Sequence, residues 1–193
     1  MAIYYDSDNN KRYGSKSLLK AKLSLNNPNV HILNAVSPSY DALTQQVSDS
    51  GTVEQKDDGS YHIVWTIEDR DLDEAKKDMK LTLAEIRYNK EISGAETTDG
   101  VKILTDRQNQ SITNSVYSSL VNNIISSTKW KSPTGWIEVT AAELLPIVTA
   151  LNEHISKSFE AEHTVSVAID NAESCDDLRA INLQADFDSA YLA

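Results

Sequence analysis

The stretch TAAELLPIVTALNEHISKSFEAEHTVSVAIDNA, residues 140–172, decides how this chain is organised. Thr140 and Glu143 have the spacing of a capping box, in which the hydroxyl accepts from a free helix N–H and the carboxylate reaches back to the cap. Pro146 stands near the first turn, where a missing N–H costs little, and no glycine or further proline interrupts the run before Ala172. A helix here spans about 45 Å at roughly 1.5 Å per residue. Leu144, Val148, Leu151, Ile155 and Phe159 recur at helical spacing, and Val165, Ile169 and Ala172 continue the stripe, so one face must be buried. Nothing on that stripe carries chemistry, and the segment reads as scaffold.

Glu162 breaks the stripe between Phe159 and Val165. A carboxylate on a buried face is costly unless it is paired or multiply hydrogen-bonded. The expected solution is a structural ion pair with Arg87 or Arg107, or a bond from an indole N–H.

Working outward, the preceding turn is Lys129-Trp130-Lys131-Ser132-Pro133-Thr134-Gly135-Trp136. Proline followed by glycine two residues on marks a small hairpin flanked by two tryptophans. Trp130 and Trp136 then either cover the helix ends as a lid or form a stacking platform for sugar or peptide. Before it, Thr105 or Asp106 caps a helix reaching Ser127, with Ile112, Val116, Leu120 and Ile124 at four-residue steps. Its remaining positions are rich in Ser and Asn, so packing and not propensity must hold it. After the long helix, Ser174 caps a short helix through Ile181, and Gln184 to Ala193 reads as a loose tail.

Further toward the N-terminus, residues 71–93 have helical periodicity, with Asp71, Asp73 and Glu74 complementing the helix dipole. This helix carries two stripes. Leu72, Ala75, Met79, Leu83 and Ile86 form one; Leu81, Ala84, Tyr88 and Ile92 form another on nearly the opposite side. An exposed helix needs only one, so the second stripe is expected to meet another part of the chain or a second copy. Asp41–Val47 and Tyr61–Ile67 read as a β-hairpin closed near Asp58-Gly59. Ala2–Tyr5 and Val30–Leu33 are short strand-like runs, residues 15–25 a short helix, and residues 94–100 a polar boundary between units.

The net charge is −11 and aromatics make up 7% of the chain, which argues against nucleic acid, whose binding relies on clustered Lys and Arg. Cys175 is the single cysteine, which excludes an internal disulfide and fits a reducing compartment. Residues 1–8 lack a basic region followed by an apolar run, and no long apolar stretch occurs, so a soluble protein without membrane insertion is expected. Asp6, Asp8 and Asn10 have the odd spacing of a calcium loop, but Lys11 stands where the glycine belongs. His154 and His163 lack zinc-site spacing, and no phosphate loop or placed nucleophile is found. No metal, no cofactor and no catalytic residue is expected, and the reading is not an enzyme.

The expected architecture is α+β. It comprises a small N-terminal β-hairpin unit (1–70), a long linking helix (71–93), a C-terminal antiparallel helical bundle with a short β-hairpin (101–183), and a flexible tail (184–193).

The series Thr105, Asp106, Arg107 and Gln110, then Trp130 and Lys131, then His154, Phe159 and Glu162, then Ala172, Leu178 and Ile181 resembles an uncharacterised helical domain of tailed-bacteriophage tail gene clusters. The preceding Pro38–Asp41, Thr44, Gln45, Asp58, Gly59 and Trp65 are similar to phage proteins, and Tyr4–Tyr13 to the opening of tail-fibre assembly proteins. The resemblance implies a noncatalytic protein that assembles or caps a tail-fibre or receptor-binding subunit in the host cytoplasm. The alternatives are a structural tail or baseplate component kept in the virion and, less favoured, a polysaccharide-active enzyme. Leu81, Tyr88, Ile92, Trp130 and Trp136 are the expected partner or self-interface; Glu162, Arg87 and Arg107 are the expected structural polar set.

Overall fold

The computed structural model describes residues 2–14, 17, 26–132 and 135–193. It divides into two compact units, Met1–Leu72 and Asp73–Ala193.

The first unit is a five-stranded sheet of β1 (Ile3–Asp6), β2 (Lys11–Gly14), β3 (Val30–Asn34), β4 (Gln45–Gln55) and β5 (Tyr61–Asp69), in the order β2-β1-β3-β5-β4. All neighbours are antiparallel except β3 and β5. This corrects the expectation of a small hairpin unit: β4–β5 is a hairpin, but it forms one side of a larger sheet. The turn that makes β1–β2 possible is built by Asp6, whose carboxylate accepts from the N–H groups of Asp8 and Asn9 and from the Asn9 amide, while Asn10 takes φ 48°. The calcium-like spacing is thus a turn device.

Strand alternation puts Tyr5, Leu33 and Ile63 in one core, with Ile3, Val53, Tyr61 and Trp65 packed around them. Between Asp49 and Val53 the β4–β5 register shifts at Gly51, φ 85°. There the two outermost strands meet: Arg12 of β2 pairs with Asp49 and donates to the Thr52 carbonyl at 2.6 Å. The sheet is therefore curled over its core, a shape that protects edges a flat sheet would leave free. The helix expected over 15–25 lies outside the described residues, apart from Ser17.

The second unit is organised around one long helix. Its helices are α1 (Leu72–Glu91), α2 (Arg107–Val121), α3 (Ala141–Asn171), α4 (Cys175–Ala180) and α5 (Leu183–Leu192), with two-stranded hairpins β6–β7 (Ala95–Glu96, Lys102–Ile103) and β8–β9 (Thr128–Ser132, Gly135–Val139). At the start of α3, Thr140 N–H and hydroxyl both donate to Glu143, at 2.8 and 2.9 Å. α1 runs antiparallel to α3: Lys80 pairs with Asp170, Arg87 with Glu162, and the Lys90 carbonyl meets His154. α2 is also antiparallel, with Asn114 bonded to Asn152 and Leu120 packed on Leu144 and Val148.

Two further expectations are corrected. Residues 184–193 are not a flexible tail: α5 starts at the Asn182 cap, and Phe187 is fully buried. Its short apolar set, Leu183, Phe187 and Tyr191 at four-residue steps, suffices once α3 offers a surface. Residues 94–100 are not the boundary between units either: that boundary falls at Leu72/Asp73, and the segment lies within the second unit. Gly94, at φ 97°, reverses the chain after α1, where an added Cβ would lie 3.3 Å from the Ile103 carbonyl, and β6–β7 follows.

Candidate functional site

The side chains that define the middle of the helical unit are polar. In α1 the buried positions Ala75, Met79 and Leu83 advance by four residues, and the same steps continue to Arg87 and Glu91. Glu91 is fully buried near the helix C-terminus, where its charge opposes the dipole. Three donors offset this. Arg87 reaches it from the preceding turn, Arg107 Nη2 donates at 3.1 Å and Gln110 Nε2 at 3.0 Å. Arg87 Nε also donates to Glu162 Oε2 at 2.9 Å, and its guanidinium lies 4.5 Å from the Phe159 ring centroid.

The expected partners are thereby separated: Arg87 meets Glu162, whereas Arg107 serves Glu91. Glu91 was missed by the sequence reading, although the four-residue continuation of the α1 stripe was its signal. The α3 stripe also turns. His154, Ser158 and Ala161 are buried where Ile155 and Phe159 were expected, and Phe159 is 44% exposed.

His154 is fixed through both ring nitrogens. Nε2 faces the carbonyls of Lys90 and Glu91 at 2.9 and 3.1 Å, so it carries the proton; Nδ1 lies 2.6 Å from the Tyr191 hydroxyl and accepts from it. Burial pushes the Tyr191 phenol up, and the Lys90 ammonium lies 4.1 Å from its ring centroid. Together these groups form the floor of a groove of about 830 Å³. One wall is the β6–β7 segment with Lys102, Ile103 and Leu104; the other is the first half of α3 with Leu145, Pro146 and Lys157. Thr105, whose hydroxyl accepts from Gly94 N–H at 2.9 Å, holds the strand segment in place.

The expected interface residues lie elsewhere. Leu81 and Tyr88 are exposed on the second stripe of α1, and Ile92 is partly covered. In the hairpin, Trp130 and its cross-strand partner Ile137 share a face, and Trp130 packs against Leu120, Leu144 and Val148. Trp136 is paired with Lys131 on the other face and is 70% exposed. The two indoles therefore do different things: one seals the helical core, the other faces outward. The turn residues 133 and 134 lie outside the described residues.

Among the described residues, no cluster of His, Cys, Asp and Glu has the arrangement of a metal site, and no helix is long and apolar enough to cross a membrane. What the geometry defines is a helical module wrapped on one central helix, with a polar clamp in its middle and a groove beside the clamp. Residues 74–189 match the family model described as Domain of unknown function (DUF4376), and since this span is more than half of the chain, the protein belongs to that family. The match begins one residue after the helical unit does. No curated protein and no solved structure matches the chain.

Proposed function

We propose that this protein is a noncatalytic tail-fibre-associated protein of a tailed bacteriophage, which assembles or caps a fibre or receptor-binding subunit by protein–protein contact. The observation that carries the reading is the apolar surface the helical unit leaves uncovered. Trp136 and Ile124 are each at least 70% exposed, and Leu81 and Tyr88 keep the second stripe of α1 open. Exposed aromatic and aliphatic side chains of this size favour a partner that removes them from water. The resemblance of the residue series to tail-cluster proteins supports a fibre or receptor-binding subunit as that partner.

The test is to recover the tagged protein from infected cells during particle assembly, identify what co-purifies, and ask by mass spectrometry whether it persists in finished particles. The expected result is recovery with a fibre subunit and absence from particles. Stoichiometric presence in particles would replace the assembly role with a structural one, and recovery without any tail protein would end the proposal. Charge placed on the outward stripe, as in Tyr88→Glu, tests self-association: an unchanged molar mass by light scattering removes the second copy as the occupant of that stripe.

A further inference from the structure

We propose that the groove beside His154 receives an extended segment of a partner polypeptide that carries alternating aliphatic and acidic side chains. The inference rests on the partner-binding reading above and assigns it a site. Three lysines and two glutamates line the groove, the reverse of a chain with 18 basic and 29 acidic residues. Among the described residues no carboxylate lies within ion-pair distance of Lys102 or Lys157, one on each wall, although Glu96 stands opposite Lys102 in the β6–β7 register. Cations left unpaired in so acidic a protein are available to a negatively charged partner. Between them the walls present apolar surface to solvent, Leu104 at 70% and Leu145 at 47% exposure.

That geometry favours a chain segment over a compact small molecule. A drug-sized ligand needs most of its surface enclosed, whereas these walls are open; an extended peptide places alternate side chains against the wall and toward the rim. The Lys90 ammonium already covers a face of Tyr191 that a base would stack on, which disfavours a nucleic-acid strand. The floor is set before binding, because both nitrogens of His154 are bonded and Gly94 is tied to Thr105. Little ordering is left for the peptide to impose on the protein.

The test uses the full chain and two fluorescent peptides, one alternating leucine with glutamate and one alternating leucine with lysine. Fluorescence anisotropy measures affinity, and amide NMR shifts locate the site. The leucine–glutamate peptide is expected to bind and to shift the amides of Ile103, Leu104 and Ala150. Replacing Lys102→Glu and Lys157→Glu together is expected to weaken it by at least about tenfold, with the melting temperature unchanged because both side chains are exposed. Equal binding of both peptides, shifts confined to residues outside the groove, or unchanged affinity of the double variant would overturn the proposal.

The same variant separates this proposal from the one it rests on. If it still recovers the fibre subunit as wild type does, the groove assignment fails and the tail role stands. If wild type recovers no tail protein while the acidic peptide still maps to the groove, the tail role fails and the groove assignment stands.

Discussion

Two of this protein's arginine–carboxylate clusters, one in each unit, differ in how much water reaches them. In the sheet unit, Arg12 and Asp49 tie the outermost strands with side chains 22% and 38% exposed. In the helical unit, Arg87 and Glu91 are 14% and 0% exposed, and Glu162, Arg107 and Gln110 complete their bonding. The first pair is screened and closes a curl that backbone and core already favour. The second was taken out of water, so its members depend on one another: each carboxylate oxygen needs its donor, and the helices that supply the donors must hold one register. Similar chemistry therefore acts as a surface tie in one unit and as an alignment device in the other.

The sharpest way to break that contrast is Glu91→Ala, which leaves Arg87 largely buried with one partner fewer. A loss of about 3–5 kcal/mol is expected from urea unfolding. The paired replacement Arg87→Met with Glu91→Leu should recover much of it, and a double as unstable as the single would show that the network contributes more than its own satisfaction. Next comes Glu162→Gln, set against Glu160→Gln on the exposed side. A loss of about 1–2 kcal/mol is expected for the first, which exchanges a charged hydrogen bond for a neutral one, and almost none for the second. Equal effects would mean that Glu162 is simply solvated.

Tyr191→Phe removes the donor to His154 and should cost about 1 kcal/mol. Because burial raises the phenol's pKa, the stabilisation it provides is present below the unfolded-state value and lost as pH rises through the folded one. Difference absorbance between wild type and Tyr191→Phe should place this ionisation above that of free tyrosine; a coincident titration would show that the phenol is not buried. The smallest effect belongs to Asp49→Asn, below about 1 kcal/mol and shrinking in high salt. The hydrogen bond from Arg12, then the Gly51 N–H, hold the Asp49 carboxyl below the usual carboxylate range. Its contribution is therefore present above the unfolded-state pKa and lost as pH falls through the folded value. A loss in Asp49→Asn as large as that in Glu91→Ala would erase the distinction between the two clusters.

The elements legible in the sequence were those with local signals. The capping box and unbroken periodicity gave α3, the change of period from Asp71 gave α1, and Gly59, at φ 83°, gave the turn between β4 and β5. The interruption of the α3 stripe by Glu162 was also readable, along with Arg87 as a candidate donor. The five-stranded sheet was not. β1, β2 and β3 are four or five residues long, and the parallel pairing of β3 with β5 leaves no mark on either strand. α5 was hidden for a related reason, since a short helix is stable only against the surface that buries Phe187. The groove joins β6–β7, α3 and Tyr191 near the C-terminus, positions distant in sequence.

By itself, then, the sequence determined that a long helix caps at Thr140, that it must bury one face, and that a carboxylate on that face needs a cation or other hydrogen-bond donors. Periodicity and capping are local properties, set within a few turns of chain. Only the tertiary structure decided which residues occupy that face in the middle turns, where His154, Ser158 and Ala161 replace Ile155 and Phe159, and which arginine serves which glutamate. Those choices depend on how neighbouring helices meet the central one, because the cost of burying a polar group is set by the donors that other segments bring to it.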